Sequence, residues 1–108
     1  MDWKIIEANQ LSPQDVDRQG NKLLIGNGYI GYRGTSEEFN KDQKTATIVS
    51  GLYDKVGDQW REPVNLPNGC FVRVLYKGEA LHALTSKVVE HAQSLDMQNA
   101  IHERRTVF

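Results

Sequence analysis

The chain has 108 residues, with 13 basic and 14 acidic side chains, a formal charge of −1 and 39% apolar residues. That length allows at most one small domain, able to bury about 65% of the surface of its unfolded chain. The balanced charge creates no field that would gather phosphodiesters or an anionic bilayer, so neither nucleic-acid nor membrane partners are expected.

The single Cys70 cannot close an internal disulfide, the start carries no apolar signal core, and no apolar run approaches the length of a bilayer span. A cytoplasmic location is expected.

Trp3-Lys4-Ile5-Ile6 is short, aromatic and β-branched, which predicts a first strand. Ser12-Pro13-Gln14-Asp15 has the signature of a helix start, with Ser12 as cap, Pro13 at the first helical position and Asp15 closing the box. Gly20-Asn21 is expected to stop that helix after about two turns. Lys22-Leu23-Leu24-Ile25 then reads as a buried strand.

It leads into the most unusual stretch of the chain, Gly26-Asn27-Gly28-Tyr29-Ile30-Gly31-Tyr32-Arg33-Gly34, with four glycines in nine residues. Each glycine forfeits backbone entropy on folding, so the cluster answers a geometric demand. Thr35-Ser36-Glu37-Glu38-Phe39 offers a second possible capping box, followed by a polar loop to Lys44. Glu37 and Glu38 are adjacent rather than one turn apart and read as solvated loop carboxylates, not as an acid and base pair.

Thr45-Ala46-Thr47-Ile48-Val49-Ser50 is a clear strand, and Gly51 predicts a bulge before Leu52-Tyr53. Asp54 to Glu62 is expected to be a loop, and Pro63 to Gly69 further punctuation, with a turn at Asn68-Gly69. Cys70 to Tyr76 and Ala80 to Leu84, joined by Lys77-Gly78-Glu79, form a predicted hairpin. In the tail, Val88, Val89, Ala92 and Leu95 share a helical face while Ile101, Glu103, Arg105 and Val107 alternate as in a strand. Strands on both sides of a Leu95-Asp96-Met97 turn are the favoured reading. Val107 and Phe108 end the sequence on apolar residues, as expected of a fragment of a longer protein.

Gly26-x-Gly28-x-x-Gly31 matches the dinucleotide fingerprint literally, but its context fails. Tyr32-Arg33-Gly34-Thr35 is a poor first helical turn, and no acid stands about twenty positions on to hold a ribose. A kinase glycine loop fails as well, since no lysine-bearing strand follows. His82, His91 and His102 lack metal-ligand spacing, so no metal or cofactor is expected, and Cys70 reads as a small hydrophobe at a strand start. Trp3, Tyr53 and Trp60 are candidates for an aromatic platform under a sugar ring.

The stretch from Ile25 to Gly34 resembles the N-terminal signature of glycoside hydrolase family 65, the maltose, kojibiose, nigerose and trehalose phosphorylases. Further landmarks follow in the same order: Thr35 with Glu37-Glu38, Gly51-Leu52-Tyr53-Asp54, Val64-Asn65-Leu66-Pro67-Asn68, the Gly78 hairpin, and Leu95-Asp96-Met97 followed by Arg104 or Arg105. Gly20-Asn21-Lys22 departs from the maltose phosphorylase lead and is closer to the kojibiose and nigerose branch.

The resemblance implies a mainly β fold with one or two short helices, residues 1–108 being one partial domain of a larger antiparallel β-sandwich. It also implies that the catalytic (α/α)6 barrel, its glutamic acid and the phosphate that attacks the anomeric carbon lie outside this chain, so no catalytic residue is expected here. In such enzymes phosphate replaces the activated water of an inverting hydrolase. The implied partners are the barrel of the same protein, a second copy through exposed strand edges, and an α-linked disaccharide with phosphate for the whole enzyme only. Asn27, Gly28, Tyr29, Gly31, Arg33, Gly34, Asn65 and Pro67 are then candidates for a structural or interface motif. Arg33 and Asn27 would donate to backbone carbonyls there, with Arg33 anchoring the turn through its planar fork. The alternatives are a stand-alone sugar-binding β module and a small β interaction protein.

Overall fold

The computed structural model describes residues 2–8, 11–34, 36–38 and 43–108. Strand β1, Lys4–Glu7, forms where expected. The next element is helix α1, Val16–Lys22. Its entry is tied by Ser12, whose carbonyl accepts the N–H groups of Asp15 (3.0 Å) and Val16 (3.1 Å). Ser12 is not the helix cap: Asp15 holds that position with no side-chain bond to a backbone N–H, Pro13 lies in the turn before the helix, and the Ser12 hydroxyl instead donates to the Asp15 carboxylate at 2.7 Å.

Gly20 and Asn21 do not stop the helix but lie within it, and the Leu23 N–H completes it on the Gln19 carbonyl. The reason is packing: a Cβ at Gly20 would stand 3.2 Å from Arg33 Nε, so this glycine gives room to a crossing guanidinium. Leu23 is fully buried as the helix cap. Of the strand expected from Lys22 to Ile25, only Ile25 remains, in the two-residue β2, Ile25–Gly26.

Strands β3, Ile30–Tyr32, β4, Thr47–Val56, and β5, Trp60–Asn65, complete an antiparallel sheet in the order β2-β3-β4-β5. Asn27 makes the β2–β3 turn: its Oδ1 accepts the N–H groups of Tyr29 (3.0 Å) and Ile30 (2.9 Å), and Gly28 takes a φ of +83°. Gly51, at φ +86°, marks the expected bulge, and the pairing slips there from Ile48 opposite Asn65 to Tyr53 opposite Pro63.

The loop expected from Asp54 to Glu62 is instead a ribbon, with Lys55 opposite Arg61 and Val56 opposite Trp60. Both of its faces are exposed, so the strand has no apolar alternation to betray it. Pro63 is tolerated because β5 is an edge.

Strands β6, Val74–Tyr76, and β7, Glu79–Leu81, form the predicted hairpin across Lys77 and Gly78, both at positive φ. The strand expected from Cys70 begins only at Val74, because Asn68 Oδ1 captures the Cys70 N–H in a turn and Val72 bonds the Glu37 carbonyl. Cys70 is therefore an exposed turn residue, not a small hydrophobe at a strand start. Likewise Ser36, Glu37 and Glu38 are not helical, while Thr35 and Phe39 of that capping box lie outside the described residues.

Strands β8, Glu90–Asp96, and β9, Ile101–Val107, form the hairpin expected in the tail, and β1 joins them in the order β1-β8-β9. Asp96 Oδ1 accepts the Gln98 and Asn99 N–H groups in the turn. The alternation of Ile101, Glu103, Arg105 and Val107 is real, yet it belongs to the outer face. His102, Arg104 and Thr106 point inward.

The fold is thus mainly β and antiparallel, with one helix among the described residues. Its apolar core is small: Leu11, Val16 and Ala83 with Leu84 packed against them, besides Leu23 and Leu95. The accessible surface, 7796 Å², exceeds the roughly 6,100 Å² of a compact monomer of this mass. The radius of gyration, 15.7 Å, likewise exceeds the expected value of about 13 Å.

The glycines of the central stretch differ in what they do. A Cβ on Gly34 would lie 2.3 Å from the Leu23 carbonyl oxygen, whereas one on Gly31 would meet nothing within 4 Å. Gly34→Ala is expected to destabilise the chain by about 3 kcal/mol or more, and Gly31→Ala to stay within about 0.5 kcal/mol, as read by urea unfolding. Equal effects of the two would contradict this packing.

Candidate functional site

Two guanidinium groups hold elements that the small apolar core cannot. Arg33 leaves the end of β3 with its side chain only 13% exposed. Its Nη1 donates to the Lys44 carbonyl and its Nη2 to the Asp17 carbonyl, both at 2.9 Å, joining α1 to the segment before β4. The Asp17 carboxylate lies 3.6 Å from the same Nη2 and 3.0 Å from Lys44 Nζ. The Lys44 hydrogen bond, with the positive charges of Lys44 and Arg33, holds the Asp17 carboxyl below its usual range.

The second group is Arg104, on the inward face of β9. It grips Glu38 with two parallel bonds, Nη1 to Oε2 at 3.1 Å and Nη2 to Oε1 at 2.9 Å, and pairs with Glu37 at 2.6 Å. The Arg104 and Glu38 side chains are 14% and 8% exposed. These carboxylates, expected to be solvated, are instead neutralised by a guanidinium 66 positions away in the Glu38 pair.

Around Arg104 the layer between sheet and helix is polar. Thr106 Oγ1 accepts from Arg104 and meets His91 Nδ1 at 3.0 Å. Gln93 bridges His102 Nε2 (3.1 Å) and Gln19 Oε1 (3.0 Å), tying β8 and β9 to α1. Lys22 and Glu7 form a further tie between α1 and β1. Burial lowers the pKa of both histidines: Arg104 adds to the effect at His91 against Glu38 and Glu37, and at His102 Glu37 opposes it while Arg104 adds to it.

Of the residues singled out in the sequence, Asn27 and Gly28 form the turn, and Gly31 lies in β3, opposite Gly26. Gly34 packs on Leu23, while Tyr29 is 67% exposed. Asn65 stands in for a strand partner: its Oδ1 accepts the Thr47 N–H and its Nδ2 donates to the Thr45 carbonyl, both at 2.9 Å. Pro67 is exposed just beyond it.

The aromatic candidates do not share a face. Trp3 precedes β1, in the other large sheet, and the ribbon register sets Tyr53 and Trp60 on opposite sides. An open, mostly apolar groove of about 460 Å³ runs beside the glycine stretch, lined by Ile25, Gly26, Asn27, Ile30, Tyr32 and Cys70 among others. Among the described residues no cluster of three or more His, Cys, Asp or Glu is placed to hold a metal, and no helix is long and apolar enough to cross a membrane.

This arrangement of bonds is a framework that joins sheets, with carboxylates already committed to guanidinium groups. Comparison with known proteins defines its class. Residues 6–108 match the model of the glycosyl hydrolase family 65 N-terminal domain, and the chain belongs to that family.

Among its relatives, nigerose phosphorylase of Lachnoclostridium phytofermentans is 37% identical over 108 residues, covering 100% of this chain and 14% of the relative. The 1,2-alpha-glucosylglycerol phosphorylase of Bacillus selenitireducens is 30% identical over 95% of this chain and 13% of its own length. Kojibiose phosphorylase of Thermoanaerobacter brockii is 30% identical over 92% of this chain and 13% of its own length. A solved structure assigned as a kojibiose phosphorylase from the human microbiome shares the fold at a TM-score of 0.86 and 21% identity, over 96% of this chain and 15% of that one. The chain thus spans about one-seventh of the length of the curated relatives it matches.

Arg104→Met leaves the Glu38 carboxylate buried without its partner and is expected to cost about 3 to 5 kcal/mol in urea unfolding; a loss below about 1 kcal/mol would contradict the burial. The pH dependence has a definite sign. His91 and His102 titrate lower in the folded chain than the usual value of about 6.5, so the unfolded chain binds more protons near that pH. Their contribution is fully present above 6.5 and is lost as pH falls from there through the lowered folded values. Thermal melts between pH 7.5 and 5 should fall towards acid, and fall less in a His91→Gln, His102→Gln double variant.

Proposed function

We propose that these 108 residues are the noncatalytic N-terminal β segment of a cytoplasmic disaccharide phosphorylase that acts on α-linked glucosides. The observation that supports this most is the match of 103 residues to one N-terminal domain model, in a chain that spans only 14% of the nigerose phosphorylase it resembles. The sugar chemistry, inversion by phosphate with release of β-glucose 1-phosphate, belongs in this reading to an (α/α)6 barrel elsewhere in the whole enzyme. A glutamic acid there protonates the glycosidic oxygen, and phosphate takes the role of the activated water.

The part assigned to this segment is to support that barrel and to contribute to self-association. The small core and the large accessible surface favour a segment completed by further protein over a free-standing module. Balanced charge and a single cysteine agree with the cytoplasm.

The test has two arms. The 108-residue chain, mixed with nigerose or kojibiose and phosphate, is expected to release no glucose 1-phosphate, while a barrel-containing enzyme that carries this segment is expected to do so. In that enzyme Arg33→Ala should lower both the melting temperature and turnover. Release of glucose 1-phosphate by the 108 residues alone, or an enzyme indifferent to the loss of Arg33, would contradict the reading.

A further inference from the structure

We propose that Asn68 is a self-modifying position, at which the chain converts its own asparagine to an aspartyl or isoaspartyl residue and releases ammonia. The reaction needs neither a sugar nor a second copy of the chain, so it stands apart from the phosphorylase reading.

Three things suffice: a side-chain amide, the main-chain nitrogen that follows it, and water. The Gly69 nitrogen, its proton taken up by hydroxide, attacks Asn68 Cγ. The N–Cγ bond forms, the Cγ–Nδ2 bond breaks, and Nδ2 leaves as ammonia with a proton from water. Water then opens the five-membered imide at either ring carbonyl. One opening gives an aspartyl residue, the other an isoaspartyl residue with one more carbon in the main chain. Nothing is oxidised or reduced.

Asparagine is a thermolabile residue, and a side chain on the residue after it crowds the attacking nitrogen, so a following glycine leaves attack open. The chain has two such pairs, Asn27-Gly28 and Asn68-Gly69; every other asparagine is followed by a residue with a side chain.

The fold sets these pairs apart. Asn27 is held at three points between paired strands: its Oδ1 accepts the Tyr29 and Ile30 N–H groups, and its own N–H donates to the Ile30 carbonyl at 3.2 Å. Turning its Cγ onto the Gly28 nitrogen gives up the Oδ1 bonds, and closing the imide distorts the β2–β3 turn.

Asn68 lies instead in the connection between β5 and β6, where its Oδ1 keeps one bond, from the Cys70 N–H at 3.0 Å. It is half-buried and Gly69 is exposed. Among the described residues nothing accepts the Gly69 N–H, and nothing holds Asn68 Nδ2, the leaving group. Packing does not demand the glycine: its φ is not in the left-handed region, and a Cβ there would meet nothing within 4 Å. The product sets a new carboxylate next to Gly69 and Cys70, both of which line the apolar groove.

Peptide mapping by mass spectrometry tests the assignment, on the 108-residue chain held in mildly alkaline buffer with and without urea. In the folded chain the peptide that holds Asn68 should gain about one dalton and become a substrate for enzymatic methylation of isoaspartyl carboxyl groups. It should do so about fivefold or more faster than the peptide that holds Asn27, the effect of one further hydrogen bond. In urea the two rates should converge to within about twofold, since both pairs then lie in open chain. Gly69→Ala should slow conversion at Asn68 by about tenfold and leave the urea midpoint unchanged.

Asn27 converting as fast as Asn68 in the folded chain overturns the proposal. So does a folded chain inert at Asn68, a difference between the two sites that persists in urea, or a Gly69→Ala chain that converts as fast as the original.

Discussion

Much of this structure rests on the pair between Arg104 and Glu38. Removing two charges from water is costly, and the cost is offset only when the geometry is good and the remaining donors find partners. Here the guanidinium meets one carboxylate with two parallel bonds, a second carboxylate from Glu37, and the Thr106 hydroxyl. An isosteric apolar layer could give equal stability, but it would not fix which strand faces which loop. The buried pair joins the β1-β8-β9 sheet to the segment ahead of β4 in one register, while burial, with the Arg104 charge adding to it against the carboxylates, lowers the pKa of His91 and His102.

Arg33 does comparable work at the other end of the glycine stretch. Its fork spans two backbone carbonyls on separate elements, which a lysine could not do with a single ammonium. Gly20 and Gly34 both serve a close approach: the first gives room to the guanidinium, and the second lets the chain beyond β3 pass against Leu23. Gly28 serves the turn. Gly31 has no such reason among the described residues.

How legible this was in the sequence depended on whether a local rule decided the outcome. The Lys77-Gly78 hairpin, the Gly51 bulge, the Ser12 helix entry and the tail hairpin all follow from turn and capping chemistry within a few residues. The ribbon from Asp54 to Glu62 did not, since a strand exposed on both faces carries no alternation. The helix running through Gly20-Asn21 was also hidden, because the group that passes over Gly20 lies thirteen positions on. The Glu37 and Glu38 site was misread for the same reason: their partner is set by the tertiary fold, and adjacent acids in a polar loop look solvated. Polar residues facing inward on β9 reversed the usual guide of apolar in and polar out.

The match over residues 6–108 makes this chain an N-terminal domain segment of glycosyl hydrolase family 65. Glu37 and Glu38 are engaged by Arg104, the core is slight and the surface is large. The central claim is that buried charge pairs, more than apolar packing, set the architecture. A double-mutant cycle between Arg104 and Glu38, using Arg104→Met, Glu38→Leu and the pair together in urea unfolding, tests it most directly. The account predicts a coupling of about 2 kcal/mol or more, with the double variant more stable than Arg104→Met alone; a coupling near zero would contradict it.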